Sequence, residues 1–303
     1  MADNSGKSVV DLRIRKLNVL APPALTQLYF QQDIINQGIN LRSACSDMGD
    51  GSFNWILRLD KGQNTLEMGG SPPVVDPFGV GYCFMNMTAN GITVAPVTAN
   101  ASTSPDGNWQ TDATDKLYLS TYIQGPGLDI PDAADSTNSN NLLILPIHML
   151  RMRSVSLTPD GNCVGSYTTD PSTCQRWRTA GTLGGYVTLE EADGITVPLT
   201  LTSLCVLLTN NTPPADSKHC ARTDGGIAAL GDFCSLTNRP ASDPQSVAIT
   251  CADSYWFAAT FAASAAKIGD GSTVPQCNGT MRALDAGAGS GSDSGVSSDA
   301  LGD

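Results

Sequence analysis

Nine cysteines spread from Cys45 to Cys277, with no C-x-x-C pair among them, constrain this chain more than any other feature. Zinc ribbons and thioredoxin-type redox centres draw their thiols from such close pairs, so both lose their main support. Two histidines, His148 and His219, supply a Cys/His metal site poorly. Disulfides are the economical account, and they belong to oxidising compartments. Pairing neighbours along the chain gives Cys45–Cys83, Cys163–Cys174, Cys205–Cys220 and Cys234–Cys251, each closing a loop rich in Gly, Pro, Asp or Ser. Other connectivities stay open, because spacing alone does not fix them. Nine is odd, and Cys277, bordering a low-complexity tail, is the candidate free or intermolecular thiol.

Charge excludes a function class. The chain carries 29 acids against 17 Lys and Arg, a formal net charge of −12. A nucleic-acid site needs a concentrated basic surface. The densest basic spots here, Arg13/Arg15/Lys16 and Arg151/Arg153, alternate with apolar residues and read as solvent faces of strands. Only three acids are glutamates, Glu67, Glu190 and Glu191. Aspartate bonds to nearby backbone amides and favours turns over helix interiors, so the bias predicts short strands and many turns. No apolar run reaches the ~18 residues that span a bilayer; the longest, Leu199–Leu208 and Tyr255–Ala266, belong in a core. Met1–Lys7 shows no signal-peptide core. Two accounts fit: an exported chain whose signal has been removed, and a cytosolic chain with reduced thiols. Cysteine, Asp and Ser/Thr usage favours the first.

Residues 1–8 read as a flexible lead, 9–284 as one β-rich globular region, and 285–303, all but free of large side chains, as a disordered Gly/Ser/Asp tail. A sub-boundary is placed near 124–141, where Gly, Pro, Asp, Asn and Ser accumulate. Val10, Leu12 and Ile14 alternate with Asp11, Arg13 and Arg15, a half-buried strand whose phase slips at Lys16–Leu17 as a bulge would cause. Phe53–Leu59, Thr65–Met68, Gly81–Met87, Ile92–Val97, Leu117–Ile123 and Leu142–Leu157 are further strands, the last broken at Pro146. Asn90-Gly91 and Asp193-Gly194 precede Ile-Thr-Val and signal hairpin turns. Thr188-Leu-Glu-Glu191 fits a capping box, 200–209 a short helix, and Tyr255–Ile268 a strand. Long amphipathic helices are missing, so the expected class is mainly β: an antiparallel sandwich or jelly-roll-like fold, with a few short helices and disulfide staples.

Motifs of chemistry are scarce. The chain has no nucleophile elbow, H-E-x-x-H, P-loop or strand-borne dinucleotide fingerprint. His148, within Leu-Pro-Ile-His-Met-Leu, reads as a satisfied sheet histidine, and His219 as a loop histidine beside a bridged Cys220. Glu190 and Glu191 are explained by a helix start, where acids complement the dipole. Calcium is the ion that Asp-rich irregular loops suit best, with Asp47/Asp50 and Asp129/Asp132/Asp135 as candidate ligands. Trp109 and Trp177, in polar loops, are candidate stacking platforms for sugar rings.

Five short stretches, Phe53–Asp60, Gly69-Gly-Ser-Pro-Pro73, Gly81-Tyr-Cys83, Leu204–Leu208 and Gly231-Asp-Phe-Cys234, together resemble uncharacterised exported, lipoprotein-like bacterial proteins with Cys-punctuated β-rich domains. The resemblance implies export and β-structure and carries no catalytic residue. The leading expectation is a non-enzymatic surface or structural protein of the extracellular space, periplasm or cell surface. It would partner other copies of itself or cell-surface components. The alternative is a carbohydrate-binding or carbohydrate-active sandwich with glycans as partners and calcium as its ion. Neither reading involves nucleic acid or a transmembrane segment.

Overall fold

The computed structural model describes residues 2–39, 51–74, 76–123, 141–168, 177–198, 200–213 and 217–279. Nine strands form the linear path of a twelve-stranded main sheet, three two-residue strands pairing off it: β1 (Val9–Ala21), β2 (Asn54–Asp60), β3 (Thr65–Ser71), β4 (Val97–Thr103), β5 (Trp109–Thr111), β6 (Lys116–Tyr122), β7 (Leu142–Arg153), β8 (Gly181–Thr188) and β9 (Ser254–Ala265). Their order across the sheet is β5-β4-β3-β2-β1-β9-β8-β7-β6, antiparallel at every step. Strands adjacent in sequence therefore lie side by side, except β5 and β6, which take the two opposite edges, and the last strand pairs with the first. The mainly β, antiparallel, disulfide-stapled class expected from sequence holds. The sheet curls until its two wings face each other across one core.

The alternation of β1 explains how it serves that core. Val10, Leu12 and Ile14 point inward, the register with β9 shifts between Ile14 and Lys16, and Leu17 and Val19 then resume the inward face. The bulge absorbs one residue and so rescues the hydrophobic phase. Beyond Arg13, β1 no longer pairs with β2. There Gln31 supplies the missing partners: Val19 N–H donates to its Oε1 at 2.9 Å, and its Nε2 donates to Leu17 O at 2.7 Å. Gln31 belongs to a π-helical segment, Tyr29–Asn36, that inserts Phe30, Ile34 and Ile35 between the wings.

Two approaches draw the curl shut. Trp109 and Val155 exchange backbone hydrogen bonds at 3.1 and 3.0 Å, tying β5 to the continuation of β7. On the other wing β3 meets β6 where Gly70 has no side chain. A Cβ there would lie 2.4 Å from Ser120 Oγ and 3.4 Å from Ser120 O. Gly70→Ala should therefore push β6 outward and lower stability by roughly 1–2 kcal/mol, read as a lowered thermal midpoint without loss of strand content.

Several expectations need correction. The lead at 1–8 is fastened rather than loose: Asn4 is 2% exposed. It bonds Asn162 Oδ1 through its backbone N–H at 2.7 Å and Asp11 O through Nδ2 at 2.9 Å. The proposed sub-boundary near 124–141 falls, but for Asn141, outside the described residues; β6 and β7 on either side of it pair from Lys116↔His148 to Tyr122↔Leu142 in the same sheet. Strand β7 runs unbroken through Pro146, whose facing partner is Tyr118. Its pairing with β8 ends at His148, so the absent N–H interrupts no ladder on that side. Gly81–Met87 is mostly irregular, with a single bridge from Tyr82 to Ile268. Asp193-Gly194 ends a helix instead of turning a hairpin, with Gly194 in right-handed conformation. The tail 285–303 lies outside the described residues.

Candidate functional site

Register lines up four side chains across one face of the sheet. Lys116 on β6 faces His148 on β7, His148 faces Tyr186 on β8, and Tyr186 faces Trp256 on β9. The His148 and Tyr186 rings stack at 5.3 Å between centroids, and Phe233 rests at 5.2 Å from both Tyr186 and Trp256. Helix α1 (Leu189–Asp193) starts directly after β8 and places Glu191 over the polar end of this row. Glu191 Oε1 accepts from Lys116 Nζ at 2.9 Å and from Tyr118 Oη at 2.7 Å, while Oε2 lies 2.5 Å from His148 Nε2. Burial alone would raise this carboxyl. The hydrogen bonds from His148, Lys116 and Tyr118 outweigh burial and hold it at about 2. A carboxylate so far below neutrality, with both oxygens engaged, is an anchor for α1 and a poor proton carrier. The capping box is not formed, because Thr188 makes no side-chain cap; Glu191 is diverted to the sheet.

A second polar node sits at the other end of α1. Asp193, 5% exposed, accepts from Ser203 Oγ at 2.8 Å and Cys220 N–H at 2.7 Å through Oδ1, and from Arg222 Nη2 at 3.0 Å through Oδ2. Burial pushes its carboxyl up, but these donors win and leave it below the usual range. Glu190 takes the same Arg222 at 2.9 Å. His219, more than half exposed, brings Nδ1 to 3.2 Å from Asp193 O. The node locks α1 to helix α2 (Leu204–Thr209), whose N-cap is Ser203.

Among the described residues three disulfides are present: Cys83–Cys277, Cys205–Cys220 and Cys234–Cys251. The first corrects two expectations, since Cys83 is not joined to Cys45 and Cys277 is not a spare thiol. Strand β9 carries the chain back beside Tyr82, whose N–H donates to Lys267 O at 2.7 Å, so residues far apart in sequence meet. Cys163 is a free thiol and so not bonded to Cys174; burial first, then Asp160, raises its pKa. Cys45 and Cys174 lie outside the described residues. Among the described residues two groupings bring metal-ligand atoms together, Asp193/Cys205/Cys220 and Cys234/Cys251/Asp253. In both, the sulfurs are tied in a disulfide and offer no thiolate.

The calcium candidates Asp47, Asp50, Asp129, Asp132 and Asp135 all lie outside the described residues. Trp109 and Trp177 are each 6% exposed, so neither offers an open face to a sugar. Trp109 packs in the main core, and Trp177 lies against Tyr167 at 5.2 Å. Both look polar in sequence because their neighbours are polar, yet each stands on a short strand that turns it inward. Trp256, 38% exposed at the end of the aromatic row, is the tryptophan with an accessible ring. Arg13 and Arg15, expected on a solvent face, are 1% and 8% exposed. Alternation sends them outward from the core correctly, but further chain covers that outer face. Among the described residues no helix is long and apolar enough to cross a membrane. No family model, curated protein or solved structure matches the chain.

Proposed function

We propose that this is a non-enzymatic surface or structural protein of an extracytoplasmic compartment, working through its surface and able to self-associate. The observation that carries the reading is the Cys83–Cys277 bond, which encloses most of the sheet in one covalent ring whose ends are 194 positions apart in sequence. Such a bond persists where thiols are oxidised and adds durability that a protein exposed outside the cytoplasm needs. Internal use of the polar clusters supports the same reading: Glu191 and Asp193 spend their oxygens holding α1 to its neighbours. Peptide mapping of the native protein by mass spectrometry, without reductant and with alkylation of free thiols, tests the compartment. The expected result is Cys83–Cys277, Cys205–Cys220 and Cys234–Cys251 as linked peptides and Cys163 alkylated. A fully alkylatable set of thiols overturns it. Light scattering after gel filtration reads self-association directly, and a concentration-independent monomer removes that part.

A further inference from the structure

The outward face of β7, β8 and β9 carries a platform built around Trp256. Phe257, Ala259 and Phe261 enter the core from β9, so Trp256, Ala258 and Thr260 point away from it. Leu183 and Val187 on β8 and Met152 on β7 are core residues too, which turns Thr182, Gly184, Arg151 and Arg153 outward. In the register Gly184 stands between Ala258 and Arg151. A Cβ on Gly184 would lie 2.7 Å from Cζ2 and 3.2 Å from Cη2 of Trp256. The indole therefore lies down along the sheet, with its benzo edge over bare backbone. Phe233 braces it at 5.2 Å, the two rings tilted by 36°. The ring is positioned before any guest arrives, and Trp256 is still 38% exposed, whereas Trp55, Trp109 and Trp177 are buried.

A donor and an acceptor stand at opposite ends of this ring. Beyond the benzo edge is Arg151, which faces Gly184 across the β7–β8 pair, a spacing of about 5 Å between Cβ positions. Its guanidinium has no hydrogen bond or ion pair among the described residues. The neighbouring cations are committed: Arg153 donates to Gln110 Oε1 at 2.5 Å, Lys16 to Trp177 O at 3.1 Å, and Lys116 and His148 bond Glu191. At the root of the indole, exposed Asp232 takes the Trp256 backbone N–H on Oδ1 at 2.7 Å, which leaves Oδ2 open to solvent. One cation and one anion flank the ring and balance each other. Gly184, Ala258, Thr182 and Thr260 are short, so the surface round the ring is flat.

We propose that this platform binds a neutral polysaccharide, an extended chain of pyranose rings. One ring stacks its C–H face on the open side of Trp256, and hydroxyls on its rim accept from Arg151 and donate to Asp232. The match is chemical: a sugar ring is apolar on its face and polar at its edge, as this site is. A flat, open surface suits a chain, while a lone small molecule prefers enclosure. The net charge of −12 disfavours a polyanion in place of a neutral chain. The proposal gives a ligand to the surface action inferred above and rests on that reading's premise that the molecule works by binding. Disulfide mapping and sugar binding are separate measurements, so either can fail without the other.

Calorimetry of the native protein with the β-1,4-linked hexaoses of glucose, xylose, mannose and N-acetylglucosamine tests it, with polygalacturonate as the anionic counterpart. At least one hexaose should bind saturably with one site per chain and should shield the indole from quenching by acrylamide, which reads Trp256 because the other three tryptophans are buried. Trp256→Ala should weaken binding by at least about tenfold. Arg151→Met, which breaks no bond of the folded chain, should weaken it by about tenfold at an unchanged melting midpoint, and this variant decides the matter if loss of the indole unsettles Phe233. The proposal is overturned if no hexaose binds at millimolar concentration, if polygalacturonate binds more tightly than every hexaose, or if Arg151→Met binds like the parent. Shielding of Trp256 that grows with protein concentration in the absence of sugar also overturns it, because a second copy of the chain would then be the occupant.

Discussion

Replacing Cys83 and Cys277 together by serine should lower the free energy of unfolding by about 5 kcal/mol. The same change at Cys205 and Cys220 should cost about 3 kcal/mol. The difference follows from the unfolded chain, in which a cross-link removes more freedom the longer the loop it closes; the separations are 194 and 15 residues. Local geometry adds to the first loss. Gly271 takes φ +69°, and a Cβ on it would lie 2.5 Å from the Cys277 Cβ and 2.8 Å from the Cys83 Cβ, so this stretch is shaped around the bond. Urea unfolding of both double variants beside the parent measures the two costs. Equal losses, or a larger loss at Cys205–Cys220, would show that the long ring is not the main covalent restraint.

Glu191→Ala should cost about 2–3 kcal/mol and should also change how stability depends on pH. Removing the carboxylate leaves Lys116, Tyr118 and His148 facing one another without their common acceptor. The sign of the pH effect is fixed by the direction of the shift. The folded carboxyl titrates at about 2, below its ordinary 4.5, so its stabilising contribution is complete above pH 4.5. It fades as pH falls from 4.5 towards 2, because the unfolded chain takes up the proton first. Unfolding midpoints collected between pH 2 and 6 should show an acid limb in the parent that is shallower in Glu191→Gln. Parallel limbs in the two proteins would place the acid sensitivity elsewhere.

How much of this was legible in the residues depends on the range of the forces involved. The bulge in β1 could be read because a period of two residues leaves its break in plain view. The Cys205–Cys220 pairing could be read too, since one short helix and the loop after it bring the two together locally. Cys83–Cys277 could not, because it exists only once β9 has returned to the side of β1. Thr188 to Glu191 carries a capping pattern, yet three donors from β6 and β7 outbid the local backbone for the carboxylate. The burial of Arg13 and Arg15 was hidden for a related reason. Alternation places Arg13 and Arg15 on the outer face of a strand, but says nothing of the 76–82 and 264–268 segments that wall that face in. Trp109 and Trp177 were misplaced by judging a large side chain from the polarity of its neighbours.

The covalent ring also decides how the molecule would bear tension. A pull between the two ends of the chain travels to Cys83, crosses the sulfur bridge and leaves through Cys277. Strands β4 to β9 all lie inside the bypassed loop and carry no load along their backbone. Only β1, β2 and β3 stand in the force path. Extension of a tethered molecule would therefore stop once the stretch up to Cys83, about a quarter of the chain, and the residues after Cys277 had been drawn out. The remaining strands would stay threaded on the ring, ready to receive β1 again when the force is released.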